Sequence, residues 1–158
     1  MAQLFLASMA LENISGHEAG RLLLAQLYET HVGGPMPAIL TGPMGKPYFA
    51  DSGWHFSISH TKNHAFCVLA DVPVGLDAEE LDRPIRLELA PKILSAGELA
   101  QFQTAEDPRL ALLSFWVLKE AQAKLTGRGI AWHPTHTDFI LPDSRIRQMD
   151  GCLVAIIR

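Results

Sequence analysis

Apolar positions along the chain fall into short strand-like runs and longer stretches of helical spacing, with turn residues between them. Residues 3 to 10 read as a first strand. Ser15-Gly-His-Glu18 is a capping-box pattern that opens a helix to about Thr30, and Gly33-Gly34-Pro35 ends it. Pro37 to Thr41 predicts a short strand, followed by the turn-rich Gly42-Pro-Met-Gly-Lys-Pro47. Phe56 to Ser59 and Ala65 to Ala70 predict two strands around the polar turn Thr61-Lys-Asn63, and Val74 to Glu79 predicts the next. Helical patterns follow at about Leu87 to Leu94 and Ala96 to Gln103, the second opened by a capping box at Ser95-Ala-Gly-Glu98. A long amphipathic helix is expected over 108 to 126, with Asp107 as cap, Pro108 at the first position, and Gly127 and Gly129 as the stop. Two strands, about Thr137 to Leu141 and Cys152 to Ile157, are expected in the tail, joined through Pro142-Asp-Ser and Asp150-Gly. Strands and helices are mixed, with hairpin-length links among the strands. That predicts an α+β fold with a mostly antiparallel sheet rather than a doubly wound parallel one.

The bulk numbers narrow the class. With 158 residues the chain is long enough for one domain with a real core. Its 13 Lys and Arg against 17 Asp and Glu give a net charge of −4, which argues against a dedicated nucleic-acid binder but leaves room for a local basic pocket. No apolar run approaches the length of a membrane span. Met1 to Leu11 lacks the basic flank of a signal peptide. Cys67 and Cys152 lie in apolar strand-like runs and read as two buried free thiols in a reducing cytoplasm.

Candidate chemistry gathers in three places. On the long helix, Trp116, Glu120 and Lys124 recur at i, i+4 and i+8 and share one face. Alone, they read as a surface ion pair over a half-buried Trp. In Gly75-Leu-Asp-Ala-Glu79, Asp77 and Glu79 point to one face of a strand. Together with Glu120 they make the oxygen-donor set that Mg²⁺ needs, with Lys119 and Lys124 near enough in sequence to serve a phosphate. The plain alternative is a solvated strand edge and a solvated helix face. In Phe56-Ser-Ile-Ser-His-Thr61, Ser59 and His60 end a strand and enter a turn where an anion can be held, or where they are simply exposed. His60 and His64 have HxxxH spacing, but zinc would want a helix and a third ligand. Gly45-Lys46-Pro47 is not a Walker loop and reads as an ordinary turn.

The order of these pieces carries more than any one of them. Gly45-Lys-Pro47, Phe56-Ser-Ile-Ser-His-Thr61, Gly75-Leu-Asp-Ala-Glu79 and Trp116-Val-Leu-Lys-Glu-Ala-Gln-Ala-Lys124-Leu-Thr-Gly-Arg-Gly129 together resemble the 4′-phosphopantetheinyl transferases. The chain is more similar to the surfactin-synthetase-activating type than to the short holo-acyl-carrier-protein synthases. The resemblance implies two pseudo-repeats, about 1 to 70 and 71 to 158, with the site in the cleft between them. It implies that Asp77, Glu79 and Glu120 hold Mg²⁺, that Lys46, Ser59 and His60 contact the phosphates on the adenosine side of coenzyme A, and that Lys119 and Lys124 face the pyrophosphate. Arg21 falls where the family has an Arg on its first-repeat helix, followed here by Leu22 where a Thr is common. Two departures stand out. Leu11 to Gly16 replaces some thirty residues of the family, including lysines that grip the coenzyme, and Ser57 stands where Asn is common.

The implied reaction moves phosphopantetheine from coenzyme A to a serine of an apo carrier protein and releases adenosine 3′,5′-bisphosphate. Glu120 is then the general base, directly or through a metal-bound water, and Lys124 stabilises the departing phosphate. Arg83, Arg86, Lys92 and Arg128 offer a local basic surface for an acidic carrier, or are scattered solubilising charge. Both motif sets lie in one chain, which implies a monomer. Two other readings use the same residues: a Mg²⁺-dependent phosphohydrolase, and a non-catalytic relative that binds coenzyme A or a carrier.

Overall fold

The element ends are set by local chemistry. The Ser15 side chain accepts from the Glu18 amide and starts α1 (Gly16–His31) after β1 (Leu4–Ala10). Ser95 and Glu98 form a complete reciprocal box at the start of α3 (Ala96–Thr104). Asp107 caps α4 (Pro108–Thr126), and Gly127, at φ 68°, supplies the left-handed turn that ends it. The computed structural model describes residues 1–128 and 133–158; Gly129, expected as part of the stop, lies outside them.

The strands form two three-stranded antiparallel sheets and a small hairpin. β4 (His55–His60) and β5 (His64–Ala70) form a hairpin that joins β1 in the order β1-β5-β4. β6 (Gly75–Glu80), β7 (Ile146–Met149) and β8 (Cys152–Ile157) pair in the order β6-β8-β7. In each sheet the last strand in sequence lies in the middle, and one long helix runs between its first and second strands. β2 (Ile39–Thr41) and β3 (Pro47–Phe49) form the separate hairpin around Gly42-Pro-Met-Gly-Lys46. A 3₁₀ turn at Leu87–Leu89 leads into α2 (Ala90–Ile93), and another covers Pro134–His136.

Alternation along the strands sorts the core into layers. Cys67, Leu69 and Phe56 face α1 through Ala19, Leu23 and Leu24. The opposite face of that sheet, with Phe66 and Val68, packs on Leu76, Ala78, Val154 and Ile156 of the second sheet. The outer face of the second sheet, Leu153, Ala155 and Ile157, packs on Leu113, Val117 and Ala121 of α4. The α+β architecture and the two buried free cysteines expected from the sequence are present.

One expected strand is corrected. Thr137 to Leu141 joins no sheet. Its backbone is satisfied by α3 side chains instead: Phe139 N donates to Glu98 Oε2 at 2.9 Å, and Leu141 N donates to Gln101 Oε1 at 2.9 Å. Phe139 and Leu141 bury their side chains against the α4 core, which produced the apolar strand-like pattern. The strand that pairs with β8 on the side away from β6 is Ile146–Met149, returned by Asp150 and Gly151, both at positive φ.

Candidate active site

The site forms where the edge strands β4 and β6 meet α4. Gly75, Asp77 and Glu79 share one face of β6, and that face looks at α4. A Cβ on Gly75 would lie 2.0 Å from the Ala121 carbonyl oxygen, so only glycine lets strand and helix approach this closely. The two carboxylates that follow are thereby carried to the helix face bearing Trp116, Glu120 and Lys124. β4 supplies the other wall. Its Ser57 and Ser59 hydroxyls accept from the Leu76 and Ala78 amides at 3.0 and 3.2 Å, pairing edge groups that no strand reaches.

The carboxylates are held against their preference. Asp77 is buried, and its pKa is pushed up to about 6, chiefly by burial, with Lys124 opposing and Glu120 adding to the rise. Lys124 Nζ donates to Asp77 Oδ1 at 3.1 Å, and Ser59 Oγ donates to the same oxygen at 3.3 Å. Asp77 Oδ2 is buried with no hydrogen-bond partner among the described residues. Glu79 is also raised, by burial and by Asp77, against the pull of Arg83, with which it pairs. Glu120 is raised by burial first, Lys124 lowers it, and Glu79 raises it again. The orphaned oxygen and three mutually repelling carboxylates fit a hard divalent cation. Among the described residues these three carboxylates do not come within 4.8 Å of one another as a group; Asp77 is paired with Lys124 and Glu79 with Arg83.

Beside them opens a cleft of about 840 Å³, lined by Lys46, Trp116, Glu120 and Lys124 and by apolar groups such as Met44 and Ile58. A neighbouring hollow of about 550 Å³ shares Lys46, Phe56 and Gly127. Lys46 Nζ donates to the Leu125 carbonyl at 3.1 Å, which fixes the β2–β3 turn to the C-terminal end of α4. Burial lowers the pKa of Lys46, and burial followed by the Lys46 charge lowers that of His55.

The expected site residues divide into groups. Glu120, Lys124 and Lys46 line the cleft, and Asp77 and Glu79 lie beside it, Asp77 bonded to Lys124 and Glu79 near Glu120. His60 is exposed at the end of β4 and packs on Gly16, where a Cβ would fall 2.3 Å from its ring. Ser59 is buried in the β4–β6 seam. Arg21 is half-buried on α1, close enough for its charge to pull down the Cys67 thiol that burial pushes up to about 12, and it does not line the cleft. Lys119 is corrected outright. It is fully buried on the other side of α4, ion-paired with Glu98 and donating to the Pro134 carbonyl at 2.6 Å and to Thr137 Oγ1. Adjacent residues on a helix point about 100° apart, so the neighbour of Glu120 serves the core. Two contributors were not read from the sequence as such. Arg83 is the partner of Glu79, and Ser57 is the other; of the remaining basic residues, Arg86 pairs with Glu88. Ser57 is a seam residue, which the alternation Ser57-Ile-Ser59 made legible.

Comparison with known proteins finds relatives of one kind. A family model described as the 4′-phosphopantetheinyl transferase superfamily matches residues 73–150, from β6 to the β7–β8 turn. The chain is 34% identical over 125 residues to 4′-phosphopantetheinyl transferase psf-1 of Bacillus pumilus, covering 73% of this chain and 53% of that one. It is 31% identical over 88 residues to 4′-phosphopantetheinyl transferase gsp of Aneurinibacillus migulanus, covering 54% and 36%. It is 34% identical over 125 residues to 4′-phosphopantetheinyl transferase AcpT of Escherichia coli K12, covering 76% and 61%. The matches span between a third and two thirds of these relatives' own lengths.

Proposed function

We propose that this chain is a 4′-phosphopantetheinyl transferase that moves 4′-phosphopantetheine from coenzyme A to a serine of an apo carrier protein, releasing adenosine 3′,5′-bisphosphate; the match of residues 73–150 to that superfamily's model and the 34% identity to psf-1 support the reading. The observation that carries this reading is that Glu120, Lys124 and Lys46 line one cleft, while Asp77 and Glu79 lie close enough to Glu120 and Lys124 to interact with their charges. The two βαββ halves, about 1 to 70 and 71 to 158, are read as pseudo-repeats, with the site at the seam between them.

Coenzyme A brings a pyrophosphate, a 3′-phosphate and an uncharged pantetheine arm. The cleft offers matching chemistry. A Mg²⁺ ion held by Asp77, Glu79 and Glu120 would neutralise charge on the pyrophosphate oxygens and so lower the barrier to attack and departure. Lys124, which lines the cleft, would stabilise the departing phosphate. Lys46 contributes charge from the opposite wall. His60 lies against the first turn of α1, where backbone N–H groups favour an anion, and this supports its contact with the 3′-phosphate. Met44, Phe56 and Ile58 give the pantetheine arm an apolar wall. Glu120 takes the serine proton; burial raises its pKa and makes it a better acceptor than a solvated carboxylate.

A phosphohydrolase would use the same carboxylates with water as nucleophile. Nucleotide chromatography separates the two. With coenzyme A and Mg²⁺, adenosine 3′,5′-bisphosphate is expected only when an apo carrier is added. Bisphosphate released at the same rate without a carrier contradicts the transferase reading. Chelating the divalent ion is expected to stop the release, and Mg²⁺ to restore it; full activity in excess chelator removes the metal from the account.

A further inference from the structure

On the opposite face of β6 from the carboxylates of the cleft, three different donor atoms converge. Glu80 ends β6, His64 begins β5, and Cys152 begins β8. Cys152 Sγ is 3.8 Å from His64 Nδ1 and 3.5 Å from Glu80 Oε2, and His64 Nδ1 is 3.4 Å from Glu80 Oε1. One ligand atom from each lies within 4.8 Å of the others, the only such group of three among the described residues. We propose that His64, Glu80 and Cys152 form a second metal site, selective for a borderline-soft divalent ion such as Zn²⁺, that clamps the two sheets together independently of the transferase reaction.

The separations suit this ion. Tetrahedral zinc bonds of about 2.0–2.1 Å to N or O and about 2.3 Å to S place ligand atoms roughly 3.3–3.6 Å apart, close to the 3.4, 3.5 and 3.8 Å found here, with a turn of the Glu80 carboxylate bringing one oxygen to both partners. The donor set N, O and S excludes Mg²⁺ as the preferred occupant, because a thiolate is a poor partner for a hard ion. The carboxylate is already oriented. Glu80 Oε1 accepts from Thr61 Oγ1 at 2.5 Å and from the Asn63 amide at 3.2 Å, leaving Oε2 toward Cys152. Such outer hydrogen bonds hold metal ligands in place. The site caps one end of the inter-sheet core made by Phe66, Ala78 and Val154. Glu80 and His64 are partly exposed, at 15% and 23% of their side chains, which leaves a path for entry and a fourth position for water. Binding forms a Zn–S bond and releases the Cys152 proton to solvent. β5 belongs to one sheet and β6 and β8 to the other, so the ion ties the halves across their seam.

Cobalt provides the readout, since a thiolate ligand gives a charge-transfer band that the cleft, which has no cysteine, cannot produce. Chelator-stripped full-length protein titrated with Co²⁺ is expected to develop that band at one equivalent, and Zn²⁺ is expected to displace it. The band is expected to disappear in Cys152→Ser and in His64→Gln and to survive in Glu120→Gln. Zinc in about hundredfold excess over its Kd is expected to raise the melting temperature by roughly 5 °C or more. Absence of the band in the folded native protein, its persistence in Cys152→Ser, or its loss in Glu120→Gln overturns the proposal. Should Cys152→Ser fail to fold, the native titration and His64→Gln still decide.

Discussion

At the residue scale, Asp77 and Lys119 show how one sequence neighbourhood serves opposite ends. Asp77 is kept where it is costly. Its pKa of about 6, against 3.8 for an ordinary aspartate, means that the folded chain retains a proton through that range after the unfolded chain has released it. Stability from this group therefore falls as pH rises from about 4 to about 6 and stays low above that. In chelator at pH 7.5, Asp77→Asn is expected to stabilise the protein by about 1 kcal/mol or more, a rise of roughly 2–4 °C in melting temperature, while carrier modification is lost. A lower melting temperature would show that the Lys124 pair outweighs burial. Glu120→Gln keeps the shape and removes the proposed base, so turnover is expected to fall on the order of 10²-fold or more, with coenzyme A affinity within a few-fold. Turnover within a few-fold of the parent would make Glu120 an ordinary helix-face residue. Lys119→Ala leaves the Glu98 carboxylate buried without its partner, and about 3–5 kcal/mol of stability is expected to go in denaturant unfolding. Unchanged stability with lost turnover would return Lys119 to the cleft.

At the element scale, the site depends on how closely β6 lies against α4. Gly75→Ala drives a methyl group into the Ala121 carbonyl and the Leu125 amide. Overpacking of this kind costs about 1–3 kcal/mol or more, and the expected readout is a lower denaturant midpoint with an unchanged slope. A midpoint equal to the parent's would mean that helix and strand have slack here. The long helix, the two capped helices and the β4–β5 hairpin were legible because their signals are local: a Ser or Asp cap, a positive-φ Gly, a polar turn between apolar runs. Thr137–Leu141 was misread because its apolar positions answer to α3 and α4, across tertiary contacts that the alternation of one segment does not record. Lys119 was misplaced for a related reason. Its partner Glu98 is 21 residues away on α3, and its placement beside Glu120 in sequence says nothing of which helix face it occupies.

At the scale of the whole molecule, the two sheets are joined by a packed apolar layer and by serine hydroxyls on the β4–β6 seam, and the cleft lies along that seam. Lys46 and His60 come from one half, and Asp77, Glu79, Glu120 and Lys124 from the other. A site completed within one chain predicts a monomer in sedimentation, and it predicts that His60→Ala and Glu120→Gln chains do not rescue each other when mixed. Recovery of substantial activity in the mixture would place the site between subunits. No helix among the described residues is long and apolar enough to cross a membrane. The most direct measurement is the intact mass of a purified apo carrier after incubation with this protein, coenzyme A and Mg²⁺. The account predicts a gain of one phosphopantetheine group on the carrier serine, absent with Glu120→Gln. An unchanged carrier mass across fatty-acid, polyketide and peptide carriers, from protein that is folded and binds coenzyme A, would contradict it.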